Sequence, residues 1–348
     1  MELPETPAPD RTPSRLPRGR GFNLLEMFTA TGEGEWQEHD FQWIADWGFD
    51  FVRLPLSYPL WIEGGAEGTD PCKLYAPGLE RVDRAVELAH AYGLHLCLNF
   101  HRAPGYCVNP GHVEPFSLWK DQEAVDAFCF HWQTFAERYR GVPPSQLSFN
   151  LINEPPAVKE PTHGMTRADH SRVIRAAVAA MREVDSDRLI IVDGIDWGNS
   201  PCPELRDLAV GQSCRGYLPF PLSHYRAPWF NGSNSWSAPV WPDLKADRVI
   251  WNRRQLERHY ARWERLAKQG VWVNCGEGGA YNKTPHAIVL AWLRDVLEVL
   301  TSYGIGFVLW NFRGPFGVLD SARPDVDYED LCGHKLDRKL LSLLQEFA

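Results

Sequence analysis

Two glutamates stand where buried strand gives way to loop. Glu154 closes the apolar part of "FNLINEPPAV" (149–158), and Glu277 lies in "VWVNCGEGG" (271–279). Phe149, Leu151 and Ile152 favour a pleated, buried segment, so the chain is expected to reach Asn153 and Glu154 still extended. Pro155 disfavours helical dihedrals at the residue before it and offers no backbone donor. That predicts a carboxylate at a strand mouth. Two carboxylates on separate strands can divide the work of cleaving a glycosidic bond: one gives a proton to the leaving oxygen while the other stabilises or attacks the anomeric carbon. Asn153 could hydrogen-bond a sugar 2-hydroxyl, and Trp310 could stack on the apolar face of a pyranose. Arg53 and Tyr225 could keep a neighbouring carboxylate ionised through charge and hydrogen bonding.

These groups need elements to bring them together. One unit recurs along the chain: a short apolar strand, a polar or aromatic loop, then an amphipathic helix. Strands are expected at 21–28, 50–57, 94–100, 147–152, 188–194, within 216–225, at 271–279 and at 304–312. Helices are expected near 37–47, 77–92, 121–139, 169–184, 203–209, 253–268, 285–303 and 335–347. In the second of these Leu79, Val82, Val86 and Ala89 share one face, with Pro77 at the start and Gly93 at the end. Eight strands of buried rather than alternating pattern, each followed by a helix, predict an α/β fold of one (β/α)8 TIM barrel over 21–348. A doubly wound open sheet would call for a glycine-rich phosphate loop after the first strand, and "GFNLLEMFTATGEGEW" has none.

In such a barrel the βα loops converge at the C-terminal ends of the strands. There the second strand delivers Arg53, the third His101, the fourth Asn153 and Glu154, the sixth His224 and Tyr225, the seventh Glu277 and the eighth Trp310. This set, in this order, resembles the signature of glycoside hydrolase family 5, the cellulase-type retaining enzymes of clan A. The resemblance spans the second strand to the eighth. It implies Glu154 as acid/base and Glu277 as nucleophile, with Arg53, His101, Asn153, His224, Tyr225 and Trp310 around them. It also implies a cis peptide between Trp310 and Asn311, and cleavage of β-linked gluco-configured oligosaccharides or glycosides by double displacement. An endo-β-1,4-glucanase or a β-mannan-cleaving enzyme with the same machinery is the alternative.

The paired glutamates and the resemblance imply a carbohydrate substrate as partner, and composition opposes other classes. A formal net charge of -9 and a pI near 5.8 oppose a polyanion such as nucleic acid. No apolar run approaches a membrane span, and "MELPETPAPDRTPSRLPRGR" is polar and proline-rich, so residues 1–20 are expected to form an arm. Eight scattered cysteines without a C-x-x-C pair, and no visible signal peptide, point to free thiols and a cytoplasmic setting. His101, Cys107 and His112 lack metal-ligand spacing, so no metal and no cofactor are expected. A metal-dependent barrel amidohydrolase would need a His-x-His pair on the first strand, where "NLLEMF" has none. A barrel that only binds sugar would be expected to lack one of the glutamates.

Overall fold

The computed structural model describes residues 17–348 except 33, 110, 112 and 113. The expected arm therefore lies almost wholly outside the described residues, as does His112. Eight parallel strands form the barrel: β1 (Gly21–Asn23), β2 (Phe51–Ser57), β3 (His95–Ala103), β4 (Leu147–Asn150), β5 (Leu189–Asp193), β6 (Gly211–Gly216), β7 (Val273–Gly278) and β8 (Gly306–Leu309). Each pairs with its neighbours in parallel register, for example Phe22 with Val52 and Leu98 with Phe149. Closure comes from β1 pairing with β8 through Gly21 and Val308. A closed sheet has no edge to protect.

Among the described residues, seven helices longer than two turns pack outside: α1 (Glu38–Asp46), α2 (Ala76–Ala91), α3 (Gln122–Arg138), α4 (Arg167–Val184), α5 (Arg253–Ala267), α6 (His286–Ser302) and α7 (Arg338–Gln345). The helix expected at 203–209 is a 3-10 segment, Pro203–Leu208. Along α2, Leu79, Val82, Ala85, Leu88 and Ala89 are buried, the 3.6-residue stripe that its sequence pattern demands. α4 begins with a capping box, Thr166 accepting from the Asp169 amide while the Asp169 carboxylate accepts from the Thr166 amide. The main apolar cluster fills the strand–helix layer, and a separate small one, Phe51, Cys97, Leu189, Ile191 and Val308 with Trp272 against it, lies on the inward face of the strands.

One strand lies elsewhere than expected. The sixth is Gly211–Gly216, "GQSCRG", rather than a segment within 216–225. Gln212, Ser213 and Arg215 are polar yet almost wholly buried, so the strand lacks the apolar signature of its neighbours. The proline-rich residues after it form a turn and the one-turn helix Phe220–Ser223. All eight cysteines are free thiols.

Candidate active site

The C-terminal ends of the strands enclose a cavity of about 670 Å³ that both glutamates line. Glu154 follows β4. Its backbone is left-handed rather than extended, with φ 47°, a conformation costly for a non-glycine residue. Two contacts hold it there: its N–H donates to Asp193 Oδ2 (2.9 Å), and its carbonyl accepts from the Tyr106 hydroxyl (2.6 Å).

Glu277 sits where the β7 register shifts against β6, between Cys275 and Glu277. Such a bulge turns a side chain out of the regular alternation. The flanking glycines make it possible. A Cβ on Gly276 would lie 2.5 Å from Ser213 Oγ, and one on Gly278 would lie 2.4 Å from the Phe307 ring and 2.9 Å from the Gly216 carbonyl oxygen.

Two arginines hold the carboxylates. Arg53 on β2 donates through Nη1 to Glu277 Oε1 (2.7 Å) and to Asn23 Oδ1 (2.9 Å), through Nε to Asn150 Oδ1 (3.0 Å), and through Nη2 to Asn153 Oδ1 (2.8 Å). Arg215 on β6 touches both glutamates: Nε donates to Glu154 Oε1 (2.9 Å) and Nη2 to Glu277 Oε1 (3.4 Å). Nη2 also bonds Asp193 at the end of β5 and Asn153 Oδ1. The other oxygen of Glu277, Oε2, accepts from the Tyr217 hydroxyl (3.2 Å).

Three carboxyl groups thus face two guanidinium groups, and the charges balance when one carboxyl keeps its proton. That carboxyl is Glu154. Burial and the neighbouring Glu277 charge push it well above the usual carboxylate range, and Arg215 only partly opposes them. Glu277 moves the other way: burial would raise it, but Arg215 and Arg53 outweigh burial and hold it below the usual range. His101 and His224 are each lowered to about 4, by burial above all, and are neutral near pH 7.

The remaining expected residues divide. His101 lines the cavity, with Nε2 against Asn109 Oδ1 (2.8 Å) and its ring 5.9 Å from that of Trp310. Trp310 lines it too, and the Trp310–Asn311 peptide is cis. Asn153 is buried. Its Oδ1 is taken by both arginines, and its Nδ2 has no hydrogen-bond partner among the described residues. His224 lines the cavity through an aromatic contact with Tyr217 (5.2 Å) and a hydrogen bond to Ser223 Oγ. Tyr225 does not line it: its ring is buried beneath Arg226, and the hydroxyl on Glu277 belongs to Tyr217. The displaced reading of β6 is the cause, since the true strand end brings Arg215 and Tyr217 inward and leaves 224 and 225 in the following loop. Sequence reasoning missed Arg215, Tyr217 and Asp193. Asp193 was visible as the aspartate ending "RLIIVDG", and Arg215 as a charge in a short segment otherwise free of it. Among the described residues, no cluster of histidine, cysteine, aspartate or glutamate could hold a metal ion, and no helix is long and apolar enough to cross a membrane.

A closed parallel barrel that gathers paired glutamates, arginines and an aromatic platform at its strand ends is the framework of a glycosidase. The family model for cellulases, glycosyl hydrolase family 5, matches residues 17–314, and the chain belongs to that family, whose members hydrolyse O-glycosyl bonds. It is 28% identical over 320 residues to Endoglucanase C of Acetivibrio thermocellus, covering 84% of this chain and 88% of that one. Identity to Cellodextrinase A of Ruminococcus flavefaciens is 24% over 286 residues, 77% of this chain and 76% of the relative. A solved structure described as a glycoside hydrolase superposes with a TM-score of 0.89 at 39% identity, over 94% of this chain and 98% of the other. Cel5A of Thermotoga maritima, solved with cellobiose, shares the fold at a TM-score of 0.74 and 24% identity, over 94% and 97% of the two chains.

Proposed function

We propose that the protein is a retaining β-glycoside hydrolase acting on gluco-configured glycosides and short oligosaccharides, with Glu277 as nucleophile and Glu154 as acid/base. The observation that carries this is the opposite electrostatic treatment of two glutamates on one guanidinium: Arg53, Arg215 and Tyr217 favour ionised Glu277, while burial beside that charge favours protonated Glu154. In the first step a Glu277 oxygen bonds to C1 as the C1–O bond breaks, and the leaving oxygen takes the Glu154 proton. In the second, water attacks C1 and returns a proton to Glu154 while Glu277 departs. A single guanidinium, only a few ångströms across, contacts both carboxylates, which supports the closer spacing of retaining enzymes, about 5 to 5.5 Å, over that of inverting ones.

The endoglucanase and cellodextrinase relatives support a gluco-configured substrate. A cavity of about 670 Å³ suits a ligand of a few rings better than an extended chain and supports the preference for short substrates.

Two experiments test this reading. Proton NMR of fresh hydrolysate should show the β-anomer first; initial release of the α-anomer would refute double displacement. Glu277→Ala should abolish turnover of every substrate, whereas Glu154→Ala should lose least activity on aryl glycosides whose leaving group needs no proton. The reverse pattern would exchange the two roles.

A further inference from the structure

The cavity mouth has two unlike halves. On the side of β8, β1 and β3, the rings of Phe28, His101 and Trp310 stand 4.5 to 5.9 Å apart. Polar atoms without partners among the described residues lie there: His101 Nδ1 and Asn311 Oδ1, with Asn153 Nδ2 beneath. A sugar ring brings hydroxyls that would satisfy them. On the side of β6 and β7 the lining is a connected aromatic wall. Tyr217 meets Phe316 (6.2 Å), Phe220 meets Phe230 (5.2 Å), and Trp229 meets Tyr281 (4.9 Å) and Phe316 (6.1 Å). His224 joins the wall against Phe230 (5.1 Å).

The wall offers few hydrogen bonds, and beside Trp197 the unpartnered polar atom among the described residues that lines the cavity is Asn199 Oδ1, an acceptor for one donor. The Tyr217 hydroxyl is given to Glu277, and His224 Nδ1 is engaged with Ser223. Its apolar surface is also held open, for Trp229 is 50% exposed. Across the cavity Trp197, 37% exposed, stands beside the acid/base, its backbone N–H donating to the carbonyl of Pro155 (2.9 Å). Apolar surface kept this open inside a cavity marks a place where apolar matter binds.

The leaving oxygen must lie within reach of Glu154 on β4, so the leaving group extends over the loops next round the barrel, after β5 and β6, which carry Trp197 and the wall. A glucosyl leaving group there would bury several hydroxyls against rings, with Asn199 Oδ1 able to receive one of them, at a cost of the kind that makes unpaired polar groups discriminating. Resting on the glycosidase reading above, we propose that the preferred substrates are β-glycosides with an apolar leaving group, an alkyl chain or fused rings, which packs between Trp197 and the Phe220–Trp229–Phe230 wall.

The test uses methyl, butyl and octyl β-glucosides and β-cellobiosides below their micellar concentrations. Their alkanol leaving groups differ little in acidity, so differences in kcat/KM report binding of the chain. kcat/KM is expected to rise roughly two- to fourfold per methylene until the wall is covered, and octyl β-cellobioside should be cleaved faster than cellotetraose. Trp229→Ala should flatten the dependence on chain length; Trp229 is half exposed, so its truncation is compatible with folding. β-Glucosyl and β-cellobiosyl fluoride, which carry no aglycone, separate the two readings. If a fluoride is hydrolysed but methyl and octyl substrates are cleaved equally, or cellotetraose is preferred, the apolar-aglycone proposal is overturned and the glycosidase reading stands. If neither fluoride nor any glycoside is hydrolysed, both fall.

Discussion

Arg215 is the residue on which the two glutamates depend together. Its guanidinium is buried and bonds Glu154, Glu277, Asp193 and Asn153 at once. It lowers both glutamates electrostatically, but Glu277 has Arg53 as a second cation and Glu154 has Glu277 as an opposing anion. Activity should therefore follow a bell-shaped pH profile. The acid limb, set by protonation of Glu277, should lie below the ordinary glutamate range, and the alkaline limb, set by deprotonation of Glu154, well above it. Arg215→Gln removes one positive charge, so both limbs should move to higher pH, with kcat/KM falling on the order of a hundredfold at the optimum. Arg215→Lys keeps the charge but loses the fork that spans both carboxylates; its limbs should stay nearer the wild-type positions while the rate still falls. A purely structural arginine would lower activity without moving either limb.

At the scale of elements, the bulge in β7 places Glu277, and the glycines around it leave room for that. Gly278→Ala would drive a Cβ into the Phe307 ring and the Gly216 carbonyl. Backbone cannot yield as a side-chain tip can, so about 1 to 3 kcal/mol of destabilisation is expected. Because the strain falls beside Glu277, kcat should drop more than the loss of thermal stability alone would explain; a variant with a lowered Tm and wild-type kcat would show that the bulge does not aim the carboxylate. The same strands show where sequence was informative. β2, β3, β4, β5 and β8 are buried on both faces and rich in Phe, Val, Leu and Ile, so their order and the residues His101, Glu154 and Trp310 toward their ends could be read directly, as could Arg53, although it lies inside β2, which runs on to Ser57, rather than at its end. β6 could not, because both its faces carry polar groups: inward, Ser213 bonds the Gly276 amide and Arg215 the carboxylates, and on the opposite face Gln212 bonds the Cys202 backbone. A strand built of buried polar groups looks like a loop in sequence. Its strand-end residues were consequently sought seven to ten residues too late, at His224 and Tyr225 instead of Arg215 and Tyr217.

Across the whole molecule, burial of ionisable groups makes a prediction about acid stability. Six deeply buried histidines are shifted down from 6.5 chiefly by burial, His95, His101, His131 and His224 to about 4 and His170 and His259 to about 3. They lie on β3, α3, α4, α5 and in the β6 loop, so the effect is spread round the barrel. Between pH 6.5 and about 4 the unfolded chain binds protons at these sites and the folded chain does not. Stability from keeping them neutral is therefore present above pH 6.5 and lost as pH falls. Two glutamates act in the opposite sense. Burial raises Glu26 to about 7, and burial with the Glu277 charge raises Glu154, so the folded chain holds two protons that the unfolded chain has released above about pH 4.5. Six sites against two leave a net uptake of roughly three to four protons on unfolding near pH 5.5. The histidines should prevail, and the urea midpoint should fall steadily from pH 7 to pH 5. The size of the fall can be apportioned with His131→Gln, which preserves an acceptor for the Trp61 indole N–H and should reduce the slope by about one proton. A midpoint that stays level or rises over this range would mean that the raised glutamates, or carboxylates elsewhere, outweigh the buried imidazoles.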